Sequence, residues 1–350
     1  MIARHIKLKL NAKHLKALDK HLWHLTGVYN WAIKTVELRR ELGLPYSEFD
    51  LYKLVIGHSE RIGISDIAIK GTIHQAYKAW ARCFRKQSKN PRLKSVRNRL
   101  SSILFRNDCK LFAKFLKVPR LGKFRFHAFS LPTSKQARQV TLIKKASGWY
   151  AVLLFEPATE KIKSIDKCVG IDTGFKHLAI LSNGEKIDHP RELEKSLSQL
   201  AKNQRGLRKK KTARLHEKIK NKRKDRNHKI SRNLVNRFGD IFITNDNLNG
   251  MSKKFGKSVG SSGINQLRQF ILYKSRLDGK KCVLVDSRKT TMSCSNCGSL
   301  TGPTGLKNLN VRNWVCAKCG IAHDRDINAA INVLNFGRRY RLESLETVAT

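Results

Sequence analysis

Residues 294–334, CSNCGSLTGPTGLKNLNVRNWVCAKCGIAHDRDINAAINVL, hold two Cys-x-x-Cys pairs with eighteen residues between them, and Asp-Arg-Asp follows the second. Two residues between cysteines let both thiolates turn toward one ion. The glycine behind each pair, Gly298 and Gly320, permits the tight turn this needs. Cys294, Cys297, Cys316 and Cys319 therefore form a candidate structural zinc site, closed and tetrahedral.

Outward from that module the chain is strongly cationic. Of 350 residues, 72 are Lys or Arg and 26 are Asp or Glu, a formal net charge of +46. Solubility needs far less charge than this, so the excess points to a polyanionic partner, with nucleic acid first. No apolar run approaches the ~18 residues that span a bilayer, so no membrane partner is expected. MIARHIKLKLNAKHL at the start has no apolar signal core. The remaining cysteines, Cys83, Cys109, Cys168 and Cys282, are scattered and are expected to be reduced packing residues. Together these features place the protein in the cytoplasm, nucleoid-associated in a prokaryote.

Residues 2–10 alternate apolar and basic side chains, as a half-buried strand does. From Asn11 the period changes: Leu15, Leu18, Leu22, Leu25, Val28 and Ala32 recur at three and four residues and predict one or two amphipathic helices. Residues 65–87 form a second helical stretch. Short strands with Gly and Pro turns follow over 101–131 and 139–157. A helical insert thus interrupts a β-domain after its first strand. CVGIDTGFKHLAILSNGE (168–185) predicts an apolar strand ending in Asp172, a tight turn at Gly174 and a returning strand. Between Arg205 and Arg237 fifteen Lys or Arg face only Glu217 and Asp225, on sparse but helically spaced apolar residues. Like charges at i, i+4 repel unless a polyanion neutralises them. Arg208, Lys209, Lys210, Lys211, Arg214, Lys222, Arg223, Lys224 and Arg226 are the candidate nucleic-acid contacts. DIFITNDNL (240–248) predicts a buried strand and turn, 263–279 a helix, 280–290 a strand, and 325–339 a helix beginning near Asp326. There are no repeats or low-complexity tracts.

Asp172 ends a core strand, where a charge is costly without a partner or metal. Asp326 opens a helix two residues after Asp324. Each has a plain structural explanation, a turn residue for Asp172 and a helix N-terminal acid for Asp326. In a polycation the two together suggest paired Mg²⁺ ions, which need hard carboxylate oxygens and leave positions open for phosphate.

GIDTG (170–174), the basic segment, TTMSCSNCG (290–298), VRNWVCAKCG (311–320) and HDRDINAAINVL (323–334) resemble the transposon-encoded TnpB proteins. Those are relatives of the Fanzor proteins and of type V CRISPR effectors. NPRLKS and VPRLGKFRF resemble stretches of the family's N-terminal half. The likeness runs over most of the chain and is specific from about residue 165 onward. It implies an α/β multidomain chain with a β-barrel-like, oligonucleotide-binding-like wedge domain (1–10 and 91–165) and a helical recognition insert (11–90). An RNase H-like RuvC nuclease domain (166–286 and 324–340), an inserted zinc ribbon (287–323) and a tail (341–350) would follow. Carried over residue by residue, Asp172 matches the first RuvC aspartate and Asp326 the last, the implied Mg²⁺ ligands. The middle acid departs from the family. A Glu is usual in a motif like IEDLN, whereas this chain has ITNDNLNGM, which puts Asn245 or Asp246 at that position. Some members use a Glu nearer the cysteines, which here corresponds to Ser287, beside Asp286. Asp246 is the candidate third catalytic acid and Asp286 the alternative; an aspartate is one methylene shorter than the glutamate it would replace.

The resemblance implies an RNA-guided DNA endonuclease whose partners are a guide RNA and target DNA and whose metals are Zn²⁺ and Mg²⁺. The missing glutamate raises a second reading, a nuclease-inactive RNA-guided protein that acts by occupying DNA. A plain duplex-binding factor has no helix-turn-helix or zipper pattern to support it.

Overall fold

The computed structural model describes residues 2–106, 108–126, 137–156, 165–189, 192, 194–305, 308 and 310–346, without the side chains of 257 and 340–346. The chain divides into two compact units, Met1–Ala158 and Thr159–Thr350. Parts of the expected β-domain, at 127–136 and 157–164, lie outside the described residues.

The first unit opens with β1 (Ile2–Lys9), whose alternation buries Ile6 and Leu8 and leaves its basic residues exposed. Helix α1 (Ala12–Glu41) is a single helix; the Asn11 side chain caps it by accepting from the His14 amide at 2.9 Å. Short α2 (Glu48–Lys53), opened by a Ser47–Asp50 capping box, and α3 (His58–Ile62) precede α4 (Asp66–Phe84). Leu18, Leu22, Leu25, Ala32 and Val36 of α1 are buried in one core with Ala68, Ile69, Ile73, Ala76 and Trp80 of α4.

Six strands complete this unit: β2 (Ser102–Phe105), β3 (Lys110–Leu111), β4 (Phe115–Val118), β5 (Gly122–Phe126), β6 (Gln139–Lys145) and β7 (Gly148–Phe155). They form an antiparallel sheet of order β2-β6-β7-β1-β5-β4-β3. The first strand is thus a central one, so the chain leaves the sheet for four helices and returns on both sides of it. A barrel would pair the two ends. Among the described residues β2 and β3 remain edges, because β3 has only two residues to offer.

The second unit begins with β8 (Cys168–Asp172), β9 (His177–Leu181) and β10 (Lys186–Asp188). Gly174 does not adopt a positive φ, so the β8–β9 connection is a wider loop over 173–176, not the tight glycine turn expected there. Then come a 3-10 turn (Glu194–Ser196), α5 (Leu197–Arg205) and α6 (Lys209–Arg237), one helix about 43 Å long at ~1.5 Å per residue. β11 (Asp240–Thr244), α7 (Leu248–Ser262), α8 (Ile264–Leu277) and β12 (Lys281–Val285) follow. A small hairpin, β13 (Asn313–Val315) and β14 (Ala322–Asp324), leads into α9 (Arg325–Glu346). α9 runs on past 340, where a tail was expected to begin.

The five-stranded sheet has the order β10-β9-β8-β11-β12; β8, β11 and β12 are parallel, β9 runs against them, and β10, antiparallel to β9, shares their direction. Helices cover both faces, as a largely parallel sheet requires. Val169, Ile171, Ile241 and Ile243 pack with Leu234 and Val235 of α6 and Leu267 and Ile271 of α8. Phe242 and Val285 point the other way, to Val333 of α9. α9 sits so close to β8 that a Cβ on Gly170 would lie 2.2 Å from the Ala330 carbonyl oxygen and 2.6 Å from the Leu334 nitrogen. Both are backbone atoms and cannot swing aside. Among the described residues no helix is long and apolar enough to cross a membrane.

Gly170→Ala should therefore push α9 off the sheet and destabilise the second unit by about 1–3 kcal/mol. A urea melt with an unchanged midpoint would contradict this seating.

Candidate nuclease and metal sites

The parallel strands all end on one edge of the sheet, and that edge gathers the acids. Ile243 of β11 is level with Ile171 of β8, so Thr244 stands beside Asp172. The Thr173 amide donates to the Thr244 hydroxyl at 3.2 Å, and the Thr173 hydroxyl donates to Asp246 Oδ2 at 3.1 Å. Asp246 is held a second time by Arg268 of α8, which ion-pairs with its carboxylate and donates to its backbone oxygen at 3.3 Å and to the Thr173 hydroxyl at 3.2 Å. Arg268 is only 4% exposed. Burial lowers the proton affinity of its guanidinium, while Asp246 and Asp172 hold it charged.

Asp326 arrives from the other end of the unit, on the first turn of α9. Asp324 starts that helix, its Oδ1 accepting from the amides of Asp326 (2.9 Å) and Ile327 (3.1 Å). Lys186 of β10 fixes Asp324 at 2.6 Å, and Arg312 reaches Asp326 itself at 3.2 Å. Burial, and then the Asp246 and Asp326 carboxylates, push the Asp172 carboxyl well above the usual range. Negative groups crowded in this way fit a hard cation, which would remove the penalty of charging Asp172.

The fit is uneven across the three acids. Among the described residues, the only group of three or more possible ligands whose atoms all lie within 4.8 Å of one another is the cysteine set. Asp172 has no ion-pair partner among the described residues and Asp326 has only the longer contact to half-exposed Arg312, whereas Asp246 is tied to the buried guanidinium of Arg268. Asp286, the alternative middle acid, is 41% exposed in its side chain, folds back on Arg288 and is not among the charges acting on Asp172.

Cys294, Cys297, Cys316 and Cys319 converge as the spacing predicts. The Cys294–Cys319 and Cys297–Cys316 sulfur pairs are 3.7 and 3.6 Å apart. Four sulfurs about 2.3 Å from a tetrahedral zinc would be about 3.8 Å apart, so the set fits such an ion. Gly298 (φ 75°) and Gly320 (φ 71°) make the left-handed turn behind each pair. Hydrogen bonding from Ser299 and then Thr301 draws the Cys316 thiol down to about 5, favouring the thiolate form that binds metal. Cys83, Cys109, Cys168 and Cys282 form no disulfides, and burial raises the thiols of Cys109 and Cys282.

Two asparagines that the sequence does not single out join the cysteine module to α9. Asn332 donates to the carbonyls of Thr290 (2.8 Å) and Ser293 (2.6 Å), and Asn328 donates to Ser293 (2.9 Å). Asn328 Oδ1 accepts from the Ser295 amide at 2.9 Å. Both side chains are almost wholly buried.

The cationic residues of α6 divide by position. Residues 209–218 bury nothing and hold Lys209, Lys210, Lys211 and Arg214 at the exposed surface; Arg208, just before the helix, and Lys222 are exposed too. Farther along, Arg226 is bound to Glu192 (2.9 Å) and to the Ser262 carbonyl, and Arg223 to the Gly260 carbonyl at 2.7 Å. Those two brace α7 and the 192 region, so a phosphate would have to displace a protein partner. Lys224 is partly covered.

Comparison with known proteins bears directly on this arrangement. A protein of Streptomyces pristinaespiralis named "Putative RNA-guided DNA endonuclease" is 30% identical over 297 residues, covering 78% of this chain and 72% of its own. The chain belongs to the TnpB family. InsQ of Escherichia coli K12, with the same descriptive name, is 25% identical over 297 residues, covering 76% and 72% of the two chains. The TnpB-like protein L770 of Acanthamoeba polyphaga mimivirus is 29% identical over 262 residues, covering 62% and 48%. Residues 152–254 match the family model described as "Probable transposase" (OrfB_IS605), and residues 265–333 the Cas12f1-like TNB domain. A solved Cas12f1–sgRNA–target DNA complex shares the fold at a TM-score of 0.59 and 15% identity, covering 92% of this TnpB chain and 82% of its own.

Removing one member of a buried ion pair strands the other charge. Asp246→Ala should thus cost this TnpB protein about 3–5 kcal/mol of stability, whereas Asp286→Ala, at an exposed pair, should change it by less than about 0.5 kcal/mol. Equal urea midpoints for the two variants would contradict the Arg268 contact.

Proposed function

We propose that this TnpB-family chain is an RNA-guided DNA endonuclease. It would carry a guide RNA on its cationic surfaces and hydrolyse matched DNA at the edge of the five-stranded sheet. The observation that carries the reading is that Asp172, at the end of β8, and Asp326, at the start of α9, are near enough for their charges to act on each other: burial first, and then the Asp246 and Asp326 carboxylates, raise Asp172. The antiparallel pair β9–β10 beside parallel β8, β11 and β12 supports an RNase H-like RuvC domain over 166–286 and 324–340. The cysteine module (287–323) would be a zinc ribbon, the antiparallel sheet of the first unit the wedge domain (1–10 and 91–165), and α1–α4 (11–90) its recognition insert.

Asp172 and Asp326 would hold Mg²⁺, which supplies charge neutralisation at the scissile phosphate and a more acidic water. The chain's own residues set the geometry. Asp324, held by Lys186, fixes the first turn of α9, and Arg312 keeps the Asp326 carboxylate from turning away. Asp246 is the third acid of the site, fixed by Thr173 and Arg268. Arg208, Lys209, Lys210, Lys211, Arg214 and Lys222 would contact phosphates, a sequence-independent attraction that salt weakens. Base pairing by the guide, and not the protein, would select the target.

The occupancy reading is the less favoured one, since the relatives are named as endonucleases and Asp172 and Asp326 are both in place. One experiment separates the two. The protein is purified with its co-expressed guide RNA and given matched plasmid in Mg²⁺. Asp172→Ala and Asp326→Ala should each bring cutting to background with guided binding nearly unchanged, because metal ligands serve the transition state more than DNA affinity. Guided binding without any cutting by the wild type would favour occupancy.

Metal analysis should find one Zn²⁺ per chain, and Cys316→Ser should lose it. Because metal binding supplies the folding energy of so small a module, that loss should also release Asn328 and Asn332 and lower cutting indirectly. Fully active protein without zinc would refute the ribbon.

A further inference from the structure

Trp23, Gly27 and Trp31 stand four residues apart on α1 and so share one face of the helix. At ~1.5 Å per residue the two indoles are about 12 Å apart along the axis, with bare backbone between them. A Cβ at Gly27 would find nothing within 4 Å. This gap is the floor of a cavity of about 560 Å³, a volume in the range of small-ligand sites. Its far wall is Leu54 and Val55 after α2, with His58 and Ile62 of α3. Trp23 is 56% exposed although its ring is large and apolar.

The third wall is the segment 92–99, RLKSVRNR, which carries four cations and no acid. It is fastened to α1 in advance. The Asn30 amide donates to the Lys94 carbonyl at 2.8 Å and accepts from the Lys94 amide at 2.7 Å. The Leu100 amide donates to the Thr26 hydroxyl at 3.2 Å. The mouth of the cavity therefore presents Lys94 and Arg99 on a fixed frame. Arg99 donates through Nε to the Val96 carbonyl at 3.0 Å, which holds its guanidinium in the segment, and its one acidic contact among the described residues, 3.4 Å to Asp19, is of little strength.

An aromatic floor with a basic rim suits a flat ring joined to a phosphate. A second copy of this chain would bring like charge, out of a net +46, against that rim. We propose that this cavity binds one unstacked base of a single-stranded nucleic acid, seated over Gly27 between Trp23 and Trp31, with its flanking phosphates on Lys94 and Arg99. The seat uses none of the acids of the cleavage site and stands or falls without them.

The test uses the full-length chain at one fixed salt concentration, with a short oligothymidine and an abasic deoxyribose-phosphate strand of equal length. Both strands carry the same charge, so their affinity ratio reports the bases alone. The wild type should prefer the oligothymidine by about tenfold or more, as base–aromatic stacking gives. Trp23→Ala should reduce that preference toward unity while leaving abasic-strand affinity unchanged. Gly27→Leu should do the same by filling the floor, and it should keep the thermal midpoint because leucine favours helix, its Cβ meets nothing within 4 Å and the rest of the side chain extends into the open cavity. Retention of the full preference by both folded variants would overturn the proposal. So would a loss of self-association in Gly27→Leu with the preference intact, since the cavity would then be an interface between copies.

Discussion

The second unit depends on how α9 is held. One side of the helix lies backbone to backbone on β8 at Gly170, and the same helix offers Asn328 and Asn332 to the carbonyls that precede the first cysteine pair. Buried amides and carbonyls are costly to leave unpaired, so neither contact can slip by a residue without loss. The register of α9 is set from two directions, and the position of Asp326 follows from it. The four-cysteine module stands directly before two carboxylates in sequence for this reason. The module is a clamp for the helix that delivers one of them.

Electrostatics then works on a fixed frame. Asp172 gains proton affinity because it is buried and, after that, because two other carboxylates stand near it, and Arg268 is held charged against its burial by Asp246 and Asp172. The same logic separates the cations of α6. Where the helix packs, Arg223 and Arg226 are bound to the protein; where it stands clear of the core, the lysines face solvent. One helix thus serves as a structural brace over its second half and presents an exposed cationic surface over its first.

Much of this was legible in the sequence because it is periodic. Alternation marked β1, apolar runs marked β8 and β11, and three-and-four spacing marked α1; α4, α8 and the start of α9 also read as helical. Cysteine spacing marked the convergence of the four cysteines. What escaped was aperiodic or read as something else. α7 went unassigned because LNGMSKKFGKSVGSS is rich in Gly and Ser, and the helix is indeed broken at Phe255. β10 is three residues long, yet it carries Lys186. Arg268 lies between Leu267 and Ile271 in an amphipathic pattern and looks like an ordinary polar-face residue. Only its partner, twenty-two positions away, makes it part of the site. Asn328 and Asn332 likewise resemble any exposed helix asparagines until the carbonyls they bind are known.

The Asp246–Arg268 pair also constrains how this lineage can change. A glutamate introduced at 246 would meet a guanidinium already in place and would be drawn to it, away from any ion. Removing Arg268 first leaves a carboxylate facing Asp172 with nothing to balance it. Either single exchange therefore disturbs the charge pairing, so the two positions are energetically coupled, and the cost of exchanging both together should fall below the sum of the two single costs.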